Sequence, residues 1–401
     1  MDVLTLGWEL PPYFAGGVGV VCEALTRALA ELGNRITYLM PYGPEDAASA
    51  HMALVTAASV AADVEVERIP SALQSYAASA GPAPRIGAAA TPRALYGPDL
   101  LQAVEEFATR AREVVRRRDL RFDVIHAHDW TTFRAGLALR AATGKPLVTH
   151  VHITEFDKSG GQHADPGIYA LEREGIHGAD RVLAVSQRVK DTCVARYGAD
   201  PATIEVVYNA VDADTEEREP LTVGSRIVLF LGRVTLQKGP EYFLEAARKV
   251  AAIEDDVTFV LAGNGDMLPR MIERVAELGL ARRVLFPGFV DRSQAAALFQ
   301  SADVFVMPSV SEPFGIVPLE AMDREVPVIV SRQSGVAEVL RNALKVDFWD
   351  TDDLAGKILA ALRYPRLAGE LGRMGKREVG QLTWRSVAER VERIYEEVRH
   401  A

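Results

Sequence analysis

Two cations five residues apart, Arg233 and Lys238, stand in the segment GRVTLQKG, directly after an apolar run at residues 227–231. A loop leading from a strand into a helix presents backbone N–H groups and the positive end of the helix dipole, both of which favour an anion. A guanidinium grips two oxygens and an ammonium acts as a point charge, so the pair suits a diphosphate. The spacing is not that of the P-loop. On this feature alone, two solvated loop cations are an equally good reading. The segment PSVSEPFGIVPLEAM shifts the balance: it holds Glu312 and Glu320, eight positions apart, after a second apolar run, Val304–Met307. Between them Phe314, Gly315, Ile316 and Val317 lead into a helix, so amides near Gly315 and Ile316 can point at a phosphate. Glu312 falls in the loop and Glu320 about one turn inside the helix. A carboxylate accepts two hydroxyl hydrogen bonds at once, which suits the diol of a hexose or a ribose.

The first half of the chain carries its own set. FAGGVGVV places Gly16, Gly17 and Gly19 in an early strand-to-helix loop, where glycine lets backbone approach a ligand. As a dinucleotide fingerprint the run fails, because Cys22 occupies the third glycine position. IHAHDW ends a strand with His126, His128, Asp129 and Trp130, and THVHITEFD ends another with His150 and His152. Histidines two apart on a strand face the same way, which raises a metal site. With no cysteine or third ligand cluster at hand, the reading is that no metal is bound, and each histidine by itself is a hydrogen-bonded core imidazole. The D-x-D string Asp212–Asp214 reads as a turn cap in a linker, and the basic run Arg110 to Arg118 as a solvated helix face.

These residues need elements to hold them. Apolar runs at 3–6, Arg35–Met40, Val124–His128, 146–152 and 181–185 read as strands, with helices over 20–32 and 98–118. Residues 43–100, rich in Ala and Pro, read as loops and peripheral strands. The pattern restarts after the charged stretch at 212–220. Strands at 227–231, Val257–Ala262, 283–287, Val304–Met307 and 326–330 alternate there with helices over 240–253, 268–278, 293–300 and 317–322. Strand, helix, strand at this spacing builds parallel sheets. The expected fold is α/β: two Rossmann-like doubly wound domains, residues 1–214 and 215–383, facing a cleft. A C-terminal amphipathic helix in 384–401 is expected to cross back to the first domain.

The bulk properties are consistent with this. The 401 residues exceed one ordinary core of roughly 150–200 residues. A net charge of −10 argues against a protein built to coat nucleic acid or an anionic membrane. Two distant cysteines give no disulfide framework. No apolar stretch nears the length of about 18 residues that spans a bilayer, and no signal peptide is legible, so the expected compartment is the cytoplasm.

The second-half constellation resembles the E-x7-E family of retaining GT-B glycosyltransferases, family 4, with its glycogen, starch and sucrose synthase relatives. The resemblance implies that Arg233 and Lys238 bind a donor diphosphate, that Glu312 contacts the transferred sugar and that Glu320 contacts the nucleotide ribose. It implies that the loop at Gly16 and Gly17 covers the distal phosphate and sugar, although Phe14 and Ala15 stand where relatives often carry a lysine. It implies further that Asp129 and His152 lie near the reacting sugar and that Asn209 contacts the donor sugar, with Ala210 where the family usually has glycine. The implied reaction is metal-independent and uses no cofactor, only a nucleotide diphosphate sugar and a glycan acceptor. ADP- or UDP-glucose would donate to the non-reducing end of an α-1,4-glucan, by front-face attack in preference to a covalent glycosyl-enzyme, with domain closure about the linker at 212–220. The alternative is transfer of glucose or mannose to a small sugar, a sugar phosphate or a lipid-linked glycan. A nucleotide-sugar epimerase and a non-catalytic sugar-binding protein are the readings from other classes.

Overall fold

The computed structural model describes residues 1–11, 17–41, 49–57, 98–161, 163–212 and 225–400. Gly16, most of the stretch at 43–100, Asp214 and most of the linker at 212–220 lie outside the described residues. The chain forms two compact units. The first comprises Met1–Glu155, Ala164–Asn209 and Trp384–Ala401, and the second Phe156–His163 and Ala210–Thr383.

The first unit is built on a parallel sheet of β1 (Asp2–Leu6), β2 (Arg35–Met40), β3 (Ala53–Thr56), β4 (Val124–His128), β5 (Leu147–Val151), β6 (Arg181–Ala184) and β7 (Ile204–Val206). The spatial order is β3-β2-β1-β4-β5-β6-β7. The helices are α1 (Gly17–Glu31), α2 (Pro98–Arg117), α3 (Trp130–Thr143), α5 (Pro166–Gly178) and α6 (Gln187–Tyr197), joined by the C-terminal helix Trp384–His400, while the short α4 (Glu155–Lys158) belongs to the second unit from Phe156 onward. β4 and β5 are buried along their whole length, as a parallel sheet covered on both faces requires. α1 packs with the C-terminal helix, while α3 packs with α2, α5 and β4. Local chemistry sets the ends: Asp165 caps α5 by accepting from the amides of Gly167 and Ile168, with Pro166 in the first turn. Ser186 caps α6, which ends on Gly198 in the left-handed region.

The second unit is built on β8 (Arg226–Leu231), β9 (Val257–Ala262), β10 (Val284–Gly288), β11 (Val304–Met307), β12 (Val328–Ser331) and β13 (Leu344–Val346), ordered β10-β9-β8-β11-β12-β13 and parallel throughout. Its helices are α7 (Pro240–Ala251), α8 (Leu268–Glu277), α9 (Arg292–Ser301), α10 (Val317–Asp323), α11 (Val336–Val339), α12 (Thr351–Arg363) and α13 (Pro365–Val379). Val228, Phe230, Phe243, Phe259, Val304, Val306 and Ile329 form its core. The strand expected at 326–330 begins at Val328, because Pro327 has no N–H for the ladder and serves only as acceptor to the Phe305 amide.

In both sheets the winding reverses at one place, between β1 and β4 in the first unit and between β8 and β11 in the second. In open α/β sheets ligands bind at the carboxyl ends of the strands flanking such a reversal. Asp129 follows β4, the loop Gly232–Gly239 follows β8, and Glu312 follows β11. Asp129, Lys238 and Glu312 therefore stand at the two switch points, whereas His152 follows β5 and Asn209 follows the edge strand β7. The basic run on α2 faces solvent and is partly paired along the helix, Arg110 with Glu106 and Arg117 with Glu113. Among the described residues no helix is long and apolar enough to cross a membrane.

Candidate functional site

In the second unit the loop after β8 tightens into a single 3-10 turn, Leu236–Lys238, closed by Gly239 at φ 66°. A Cβ at Gly239 would lie 2.2 Å from the Pro308 carbonyl oxygen. Only glycine lets this loop lie against the end of β11, and that packing brings Lys238 to Glu312. Lys238 Nζ donates to Glu312 Oε2, and both side chains are largely buried. Ser309 Oγ donates to the same carboxylate oxygen at 3.3 Å. The Glu312 backbone is fixed as well: its N–H donates to the Gln333 carbonyl at 3.0 Å, and its own carbonyl accepts from the Gly335 amide at 2.9 Å.

The cation and the first glutamate, 74 residues apart, thus meet directly. A carboxylate so held beside an ammonium has its charge neutralised and its orientation set. Arg233 is exposed and donates from Nη2 to Gln237 Oε1 at 3.3 Å. Gln237, which the sequence reading passed over, is 4% exposed, and its carbonyl accepts from the Val310 amide at 2.9 Å, lacing the β8 loop to the β11 loop. Gly315, at φ 99°, turns the chain into α10. Ile316 and Val317 open that helix with no side-chain cap, Phe314 is buried beneath them and Glu320 is half-buried in the first turn. Ser311, a further residue missed in sequence, donates to Asp157 at 2.9 Å within the same unit.

In the first unit Asp129 begins α3 at φ 57°, ψ 169°, a conformation that costs a non-glycine residue of order 1–3 kcal/mol. Its surroundings hold it there. The Asp129 amide donates to the His150 carbonyl at 2.9 Å, and its Oδ1 accepts from the amides of His152 at 2.7 Å and Ile153 at 3.3 Å. Asp129 and His152 are thereby brought together. Asn209 is buried beyond β7. Gly17 is exposed at the first turn of α1, and no described atom lies within 4 Å of a Cβ built there.

Four imidazoles share one face of this sheet. His126 and His128 alternate along β4, His150 and His152 lie at the end of β5, and His128 is in register with His150. His128 Nδ1 and His152 Nε2 share a proton at 2.9 Å, and the Tyr395 hydroxyl of the C-terminal helix meets His126 Nδ1 at 2.6 Å. Burial, reinforced by neighbouring imidazoles, holds His128 and His150 well below the usual histidine range. Burial alone lowers His152 to about 3, and burial with the His152 ring lowers His126 to about 3. All four are neutral at pH 7. The sequence expectation that no cysteine or third ligand lies at hand is corrected here. His150 joins His126 and His128, and Cys22 of α1 joins His128 and His152, each trio with ligand atoms within 4.8 Å of one another. Folding brings together residues that are distant along the chain.

Residues 15–215 match the family described as Glycosyltransferase Family 4, and residues 212–378 match Glycosyl transferases group 1. An uncharacterized glycosyltransferase of Methanocaldococcus jannaschii is 28% identical over 85% of this chain and 83% of its own. The glycogen synthase of Mycobacterium tuberculosis is 26% identical over 98% of this chain and 94% of its own. Among solved structures, the sucrose-phosphate synthase of Thermosynechococcus elongatus superposes with a TM-score of 0.76 at 21% identity, covering 99% of this chain and 98% of that one.

Proposed function

The chain belongs to Glycosyltransferase Family 4, and from that premise we propose that it transfers glucose, with retention, from ADP- or UDP-glucose to the non-reducing end of an α-1,4-glucan. The observation that carries the donor half of this reading is the Lys238–Glu312 pair at the β8/β11 switch point. Cleaving a nucleotide sugar leaves negative charge on the departing diphosphate. Lys238, Arg233 and the uncapped amides opening α10 answer that charge without a metal at the diphosphate. Glu312, oriented by Lys238 and Ser309, accepts hydroxyls of the transferred hexose, and Glu320 those of the ribose. In the first unit Asp129, whose carboxylate accepts the His152 amide, is assigned with His152 and Asn209 to the sugar, and the glycines Gly16 and Gly17 to the phosphate. The neutral His152 ring brings no positive charge towards the cationic transition state.

The glucan acceptor is supported by similarity to a glycogen synthase over nearly the whole length of both chains and by the HAHDW and TEFD segments. The test is incorporation of labelled glucose from ADP- or UDP-glucose into glycogen, followed by β-amylase digestion. The expected result is label released as maltose, which reports an α-1,4 bond at the non-reducing end. Label transferred to a sugar phosphate but not to glycogen would replace the glucan with a small acceptor.

A further inference from the structure

Four of the eight histidines of the chain crowd one buried face of the first unit, each no more than 6% exposed. Ring centroids lie 4.1 Å apart for His126 and His128, 5.4 Å for His126 and His150, and 5.3 Å for His128 and His150. A buried imidazole nitrogen normally finds a hydrogen-bond partner. Here His126 Nε2, His128 Nε2 and both ring nitrogens of His150 are buried with no partner among the described residues. The transfer chemistry uses none of these atoms.

We propose that the first unit holds one divalent transition-metal ion of the zinc class on His126, His128 and His150. Three donors from two adjacent strands offer one ligand atom each within 4.8 Å of the others. Tetrahedral zinc, with Zn–N of about 2.0–2.1 Å, sets its nitrogens ~3.4 Å apart, so small ring rotations close the site. The outer shell has the required form at two of the three ligands. A metal-bound histidine donates its second N–H to a neighbouring acceptor, which fixes the tautomer. His126 Nδ1 meets the Tyr395 hydroxyl and His128 Nδ1 meets His152 Nε2, leaving both Nε2 lone pairs on the unpartnered side. The neighbouring trio of Cys22, His128 and His152 is less suited, because the Cys22 thiol is hydrogen-bonded to Tyr38 and the other two are bonded to each other. An all-imidazole set selects zinc, cobalt, nickel or copper over magnesium or calcium. The ion is structural: it ties β4 to β5 and, through Tyr395, to the C-terminal helix.

The test uses tag-free full-length chain, stripped with a chelator, dialysed and titrated with cobalt chloride. Visible d–d absorption is followed, with back-titration by zinc chloride. The expected result is one cobalt per chain, displaced by one zinc, and a higher melting temperature with zinc present. Binding survives in His163→Gln, which lies outside the cluster, and in His152→Gln, whose amide oxygen still accepts from His128. It is lost in His150→Gln with the far-UV circular dichroism retained. Unchanged binding in folded His150→Gln overturns the proposal. So does loss in His152→Gln with retention in His150→Gln, which would give the ion to Cys22, His128 and His152. Should His150→Gln fail to fold, the wild-type titration decides: no cobalt bound per chain overturns the site.

Discussion

Lys238 and Asp129 are the two residues whose placement says most about the chemistry. Lys238 is the cation nearest the first glutamate, and removing a preorganised charge from a developing anion typically costs about 10²–10³ in rate. Lys238→Ala is accordingly expected to lower kcat/KM by about that factor while the circular dichroism stays unchanged. Lys238→Arg, too broad a head for the same contact, is expected to recover only part of the loss. Retention of full activity in Lys238→Ala would remove the diphosphate role. Asp129 acts through its carboxylate oxygen, which accepts the His152 and Ile153 amides. Asp129→Asn keeps an acceptor and is expected to unfold near the wild-type urea midpoint. Asp129→Ala leaves two amides unpaired and is expected to lose on the order of 1–3 kcal/mol, and equal midpoints would contradict this. The cations and glutamates could be singled out as candidates in sequence because their type and spacing are themselves the signal. The Lys238–Glu312 contact, Gln237 and the Ser311–Asp157 bond were not, since each joins residues that only folding brings near. The strain at Asp129 was invisible for a different reason: an aspartate at positive φ looks like any other in a string of letters.

At the scale of elements, most strands of both sheets could be read from apolar runs, and Arg35–Met40, Val124–His128, Val257–Ala262 and Val304–Met307 fall where the sequence puts them. Helix α3 was missed because it packs with β4, β5, α2 and α5; its Ala-rich sequence then lacks the broad polar face that periodicity detects. The edge strands β7 and β13, three residues each, are too short to show alternation. Two loops carry testable consequences. Gly239→Ala places a Cβ against the Pro308 carbonyl in a left-handed residue. It is expected to lower the melting temperature and to abolish donor binding by displacing Lys238. Gly198→Ala has the same sign of φ but no described atom within 4 Å, so it is expected to cost only about 1–2 kcal/mol of backbone strain and to leave transfer intact. Comparable damage from both would mean that loop packing against β11 is not what holds the cation. The C-terminal helix is anchored by a buried hydroxyl: Tyr395→Phe leaves His126 Nδ1 without its partner and is expected to destabilise the first unit by about 1–3 kcal/mol in urea melts.

For the whole molecule, the doubly wound architecture was legible because repeated strand–helix alternation has few solutions, and the family follows from the match over residues 15–215. The acceptor is harder to read from residues, since the fold hosts many transfers and specificity resides in loops. The measurement that bears most directly on the central claim is release of nucleotide diphosphate from ADP-glucose and from UDP-glucose by the purified chain, with and without glycogen. Release from one donor that depends on glycogen, and is lost in Glu312→Ala, is the predicted result. No release from either donor with any glucan present would contradict the glucan assignment.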